Sequence, residues 1–245
     1  MKNKIIITAG GTSERIDNVR KITNSSSGKL GCTIANKLIA LADDKIDKIY
    51  YICSKTSLKP EHEKIELIEI IDTNDLKNKV EELLTNENIS YFIHSMAVSD
   101  YTVDFVTNAK KIAENINNNK DKDVFSLIVE NKDNFNDSKI SSYEDDLIIK
   151  LKRTPKIISL IKDLSPKTYL VGFKLLDGVT EEELIDVATK LKEKNKCDLV
   201  VANDLSNIRS GNHLAFIIGE ENKYISASGK EDIAEKLISE MFKND

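Results

Sequence analysis

Residues 4–9, Lys-Ile-Ile-Ile-Thr-Ala, form an apolar run that ends in Gly10-Gly11-Thr12. A short continuous apolar run bounded by glycine is the pattern of a strand buried on both faces, as in a parallel sheet, which delivers the chain to a ligand-facing loop. Beyond Ser25-Ser26-Ser27-Gly28, the residues Leu30, Ile34, Leu38 and Ile39 recur at three- and four-residue steps. That spacing predicts a helix to about Leu41 with one apolar face.

The alternation continues. Residues 48–54 and 64–71 read as the second and third strands, and Leu76, Val80, Leu83 and Leu84 mark an amphipathic helix within 73–86. Residues 91–98 return as a strand, and strand alternating with helix argues for a parallel sheet joined by right-handed crossovers. From about Asp104 to Ser138 the pattern decays into Asn, Lys and Asp, broken by a strand-like Val-Phe-Ser-Leu-Ile-Val at 124–129. A mobile flap or dimer-forming excursion is expected over 104–145.

Regularity resumes at Asp146. Thr154-Pro155 reads as an N-cap and first helical position, because the amide that proline lacks is unpaired there in any helix. Residues 169–176, 197–204 and 214–219 read as strands. Thr180 with Glu183, and Ser228 with Glu231, have capping-box spacing ahead of helices at 181–195 and at the C-terminus. With 245 residues, no internal repeat and no linker, one domain spanning 1–245 is expected.

A net charge of −5 and a pI near 5.5 argue against a nucleic-acid partner. No apolar run approaches the ~18 residues of a membrane span, so neither a membrane nor a signal segment is expected and the chain reads as cytoplasmic. Cys32, Cys53 and Cys197 are odd in number and lack zinc spacing, and are read as reduced thiols.

Two phosphate templates fail. Thr23 and Leu30 occupy the places where a P-loop needs glycine and Ser or Thr, and the turn after the first strand is not G-x-G-x-x-G. The physics survives in another arrangement, because Ser25 to Gly28 precede a helix whose free amides and dipole favour an anion. The alternative is that these serines only cap the helix. Tyr51 and Lys55 have the spacing of a dehydrogenase Tyr-x-x-x-Lys pair, but that pair works from a helix and Tyr51 falls in a predicted strand.

The segment Ile7 to Gly31 resembles the N-terminal signature of the phosphopantothenate cysteine ligases. Similar blocks follow in that family's order at 96–101, 139–141, 154–158, 171–176 and 198–204. The resemblance implies a Rossmann-like α/β fold, a mostly parallel sheet flanked by helices. It implies an enzyme that uses a nucleoside triphosphate and Mg2+ to join 4'-phosphopantothenate to cysteine through an acyl-nucleotide. Such chemistry needs positioning and charge neutralisation more than a dedicated nucleophile.

Carried over by position, Gly10, Ser26, Gly28 and Gly31 are expected to cradle the nucleotide, with Phe173 at its base or sugar and Asn203 in contact with it. Asn24, Ala97 and Asp100 fall on the phosphopantothenate side, Asn24 holding the acyl-nucleotide, and Arg20 resembles an arginine that reaches a neighbouring subunit's substrate. Lys139 matches a lid lysine over the reacting phosphates; Lys190 and Lys194 match two further lysines when one residue is inserted before Asp198. Met96 stands where the family usually has alanine.

The resemblance implies a homodimer, a separate decarboxylase, and CTP in preference to ATP. Two rivals stay open: a nicotinamide-dependent oxidoreductase on a related sheet, and a nucleotide-binding homologue without activity.

Overall fold

The computed structural model describes residues 2–129 and 139–243. In chain order the elements are β1 Asn3–Ala9, β2 Ser13–Arg15, β3 Lys21–Thr23, α1 Lys29–Ala42, β4 Ile46–Ser54, β5 Ile65–Ile70, α2 Thr73–Asn86 and β6 Tyr91–His94. Then come β7 Tyr101–Asn108, α3 Ala109–Asn118, α4 Val124–Val129, β8 Leu147–Arg153, α5 Ile157–Leu164, β9 Tyr169–Leu176 and α6 Glu181–Asn195. The chain closes with β10 Leu199–Asp204, α7 Leu205–Arg209, β11 Leu214–Ile218, β12 Tyr224–Ser228 and α8 Gly229–Met241.

Eight strands form one sheet in the order β12-β11-β10-β9-β6-β1-β4-β5. The six from β10 to β5 run parallel to one another, β11 pairs antiparallel with β10, and β12 pairs antiparallel with β11. The α/β expectation therefore holds, with an antiparallel edge added. Helices α1 and α8 pack on one face around Ile34, Leu38, Ile233 and Leu237, and α2, α5 and α6 on the other around Leu76, Val80, Ile161 and Ala188. Both faces of the parallel strands are thus covered, which is why those strands read as near-continuous apolar runs.

From β1 the chain goes to β4 and β5 on one side, then returns to β6 on the other side of β1. That reversal leaves a crevice beyond the carboxyl ends of β1 and β6, the position at which open α/β sheets bind ligands.

Several expectations are corrected. Residues 124–129 form a helix, because Asp123 accepts from the Ser126 amide and hydroxyl and so caps it; a short apolar run does not choose its own period. The excursion is more regular than its composition, since β7 pairs antiparallel with β8 and α3 follows β7; its residues 130–138 lie outside those described. Strand β6 stops at His94 rather than at residue 98.

Pro155 precedes α5, whose N-cap is Lys156; the Thr154 hydroxyl instead donates to the Ser99 carbonyl at 2.5 Å. Ser228 gives α8 no side-chain cap, and its amide is taken by Asp232 rather than Glu231. At α6, Thr180 accepts from the Glu183 amide as expected.

Candidate active site

At the carboxyl ends of β1 and β6 two loops are zipped together. The Ala97 amide donates to the Gly10 carbonyl at 2.8 Å, and the Ala97 carbonyl accepts from the Thr12 amide at 3.2 Å. The Asn24 amide donates to the Thr12 carbonyl, and Asn24 Nδ2 donates to the same Ala97 carbonyl at 3.4 Å. Gly10, Asn24 and Ala97 are thus brought together from three separate segments.

The glycines earn their place through contact. Gly10 has φ +85°, and a methyl group on it would lie 1.8 Å from Ser57 Oγ. Gly28 has φ +69°, and its methyl would approach the Gly10 amide nitrogen and Ser57 Cβ, each at 3.1 Å. Both need glycine for backbone conformation as well as space. Gly31 has a different reason: within α1 it sits against Ala9 Cβ and Ser95 Oγ, so it lets the helix approach β1 closely.

Gly28 is the N-cap of α1, which has no side-chain cap and no acidic residue in its first turn. The serines reach its first amides only at long range: Ser26 Oγ accepts from the Gly28 amide at 3.5 Å and Ser27 Oγ from the Lys29 amide at 3.4 Å. Ser27 also offers its carbonyl to the Leu58 amide. A helix N-terminus so weakly capped, facing the sheet's ligand crevice, is an electropositive cradle.

Phe173 is partly buried on the α1 face of β9, and Asn203 stands on the same face of the next strand, buried with its Oδ1 unpartnered among the described residues. Asp100 is exposed and ion-paired with Lys156. Arg20 donates to the Ile140 carbonyl at 2.9 Å, and Asp17 accepts from the Ile140 amide at 3.1 Å, so this chain's own hairpin β2–β3 anchors the residue beside exposed Lys139.

Lys190 and Lys194 are not gathered. They are exposed in the second half of α6, on the sheet face opposite α1, and α6 runs away from the carboxyl ends of the strands; Lys190 pairs with Asp186 one turn back.

Sequence reasoning placed Gly11 and Thr12 in the ligand-facing loop without giving either a role, and missed Ser54 and Ser57. Ser54 and Ser57 bond through their hydroxyls at 2.7 Å and form the floor under Gly10. Their signal was the Ser-Lys-Thr-Ser turn directly after a buried strand. Beside that turn, a cleft of about 400 Å³ is lined by Arg15, Asp17, Arg20, Lys21 and Lys55 among others, four of these five being cations. A larger cleft, about 850 Å³, lies at the amino ends of the parallel strands around Tyr91, Tyr169 and Asp198 and gathers none of the expected residues. Tyr51 is buried in β4 with its hydroxyl donated to the Leu58 carbonyl, which excludes it from a Tyr-x-x-x-Lys role.

A family model described as the DNA/pantothenate metabolism flavoprotein C-terminal domain matches residues 1–136 and 131–244. The coenzyme A biosynthesis bifunctional protein CoaBC of Thermococcus kodakarensis is 32% identical over 241 residues, 98% of this chain and 51% of that protein. CoaBC of Methanocaldococcus jannaschii is 30% identical over 246 residues, with the same two coverages. The chain spans about half the length of these curated relatives. Among solved structures, the DNA/pantothenate metabolism flavoprotein from Streptococcus pneumoniae matches with a TM-score of 0.85 at 37% identity over all of both chains. A Cab2 mutant in complex with phosphopantothenate-cysteine shares the fold at 19% identity, with a TM-score of 0.68 over 98% of this chain and 87% of that one.

Proposed function

Since this chain belongs to the DNA/pantothenate metabolism flavoprotein C-terminal domain family, we propose that it ligates 4'-phosphopantothenate to cysteine at the expense of CTP. The observation that carries the reading is the convergence of Gly10, Asn24 and Ala97 before the weakly capped N-terminus of α1. A carboxylate is a poor electrophile. Its oxygen attacks the α-phosphorus, the bond to the β-phosphate oxygen breaks, and pyrophosphate leaves. The cysteine amine then attacks the acyl carbon, loses a proton, and CMP departs.

The chain's part is to hold and orient. Amides at Gly28 to Gly31 receive phosphate oxygens, Phe173 and Asn203 hold the sugar and base side, and Asn24 Nδ2 lies where it reaches the acyl group bound beside Ala97. Lys139 adds positive charge over the phosphates. Mg2+ keeps waters and rides on substrate phosphates with one or two carboxylates. Among the described residues no group of three His, Cys, Asp or Glu side chains could hold a metal ion, so the substrate phosphates themselves would carry it. Bound there, the ion would neutralise triphosphate charge.

A homodimer fits an arm whose apolar side chains have no cover: Phe125 is 73% and Tyr143 93% exposed, with Val124, Leu147 and Leu151 also open. The decisive assay mixes the protein with CTP, Mg2+ and 4'-phosphopantothenate. Pyrophosphate release, followed by CMP on addition of cysteine, is expected; cysteine-independent or absent CMP release overturns the reading. Running the same assay with ATP tests the base preference.

A further inference from the structure

Among the described residues three buried side-chain polar atoms lack a hydrogen-bond partner: Thr107 Oγ1, Asn203 Oδ1 and His213 Nε2. Two of these three lie at the same end of the neighbouring strands β10 and β11, one on β10 and one just ahead of β11. Asn203 pairs directly with Ala215 across β10 and β11. His213 sits two residues before Ala215 in a turn closed by the Leu214 amide on the Asn212 carbonyl at 2.9 Å, its ring turned to the α8 face by Lys230 of that helix. The Gly229 amide donates to the His213 carbonyl at 2.8 Å, which continues the β11–β12 pairing and fixes the backbone there. That face is the α1 and α8 side, and Phe173 lies on it one strand beyond Asn203.

The tautomer of His213 follows from its neighbour. Lys230 Nζ lies 3.1 Å from His213 Nδ1. An ammonium group donates and cannot accept, so Nδ1 is the accepting nitrogen and the ring proton sits on Nε2. Burial and the nearby Lys230 charge lower the imidazole pKa, which keeps the ring neutral in that form. His213 Nε2–H is therefore a donor and Asn203 Oδ1 an acceptor, each buried and each costly to leave unmade.

Resting on the nucleotide reading above, we propose that His213 is a nucleotide-specificity residue: with Asn203 it forms a donor–acceptor pair that binds the ribose hydroxyls of the triphosphate. A vicinal diol accepts at one hydroxyl and donates at the other, which matches one N–H just ahead of β11 and one carbonyl oxygen on β10. Lys230 then acts as a positioning residue, fixing which nitrogen carries the proton.

The test is calorimetric binding of Mg2+–CTP and of its 2'-deoxy and 3'-deoxy analogues to the full chain, wild type, His213→Ala and His213→Gln. Wild type should bind CTP about tenfold more tightly than at least one deoxy analogue, the size expected for one buried hydrogen bond. His213→Ala should weaken CTP about tenfold and close the gap to that analogue, with the KM for 4'-phosphopantothenate unmoved. His213→Gln keeps an N–H near the Nε2 position and should recover most of the affinity, which a merely structural role would not produce. Equal CTP affinity in wild type and His213→Ala, or a gap that persists in that variant, overturns the inference alone. A wild-type chain that binds no nucleoside triphosphate overturns the nucleotide reading and this inference together.

Discussion

A methyl group on Gly11 would stand 2.0 Å from the backbone carbonyl oxygen of Asn24. Gly11 also bridges to Ala97 in parallel fashion, so the space taken by its missing side chain is what lets Asn24, Gly10 and Ala97 meet. A backbone carbonyl cannot rotate away as a side-chain tip can. Gly11→Ala should therefore push the Asn24 segment outward and reduce cysteine-dependent CMP release by at least about 100-fold, the cost of misplacing a positioning group by an ångström. The loss of folding stability should be smaller, about 1–3 kcal/mol by urea unfolding, as for other overpacked sites. A fully active Gly11→Ala would show that Asn24 is not held through this contact.

Asn24 itself separates the two half-reactions. Its Nδ2 is an amide donor 3.4 Å from the Ala97 carbonyl. Asn24→Asp keeps the shape, removes the donor and adds a negative charge beside Ala97 and the phosphates. The charge should repel the developing oxyanion of the second step more than it disturbs the first. Pyrophosphate release should then stay within several-fold of wild type, while CMP release falls about 100-fold, as for loss of one oxyanion donor. Mass spectrometry should detect the acyl-cytidylate accumulating; equal slowing of both products would remove the assigned role.

Most of the parallel sheet was legible because its cause is local: buried strands such as Ile5-Ile6-Ile7 read as continuous apolar runs, α2 carries its period in sequence and α6 its cap. Residues 124–129 were misread because six apolar residues suit either period, and Asp123 decides the matter from outside the run. Hairpin β2–β3 has only three-residue strands, too short for alternation to register. At the site, Gly10 and Gly28 announce themselves by position after a strand and before a helix. Ser57 and His213 do not, since what selects them is contact across the sheet's edge, made by residues far apart in the chain.

His94 links the site's core to acid stability. It closes β6, accepts or donates at Nδ1 to Thr8 Oγ1 at 2.8 Å, and burial pushes its pKa down from 6.5 to about 4. Unfolding frees the ring to its ordinary pKa, so between pH 6.5 and about 4 the unfolded chain takes up a proton that the folded chain refuses. Stability should fall as pH drops through that window, by roughly 3 kcal/mol in all from this residue. Asp204 acts lower: the Ser206 hydroxyl and Val179 amide hold its pKa down to about 2, so its contribution is lost only below pH 3.8. His94→Gln should show a distinctly flatter dependence of urea midpoint on pH between 6.5 and 4.5. Parallel curves for the two proteins would mean that His94 titrates normally in the fold.

The Asp17 side chain is fully buried and accepts from the amides of Val19, Arg20 and Ile140 at 2.7, 2.6 and 3.1 Å. Those bonds hold the carboxylate pKa low, the Arg20 amide contributing most. The first two bonds shape the turn that carries Arg20, and the third ties that turn to the residue after Lys139. Asp17→Ala would leave three amides without their acceptor, at a cost of about 1–3 kcal/mol for any that stay buried. The Ile140 attachment would weaken more than the global fold, because the Arg20 to Ile140 carbonyl bond depends on the same turn. Limited proteolysis should therefore cut Asp17→Ala after Tyr143 faster than wild type, at conditions where both remain folded by circular dichroism. Pyrophosphate formation should fall with it, since Lys139 would lose its anchor beside the phosphates, whereas CTP binding measured without phosphopantothenate should change little. If the cleavage rate and pyrophosphate formation both match wild type, the attachment between Asp17 and Ile140 contributes nothing to holding Lys139 in place.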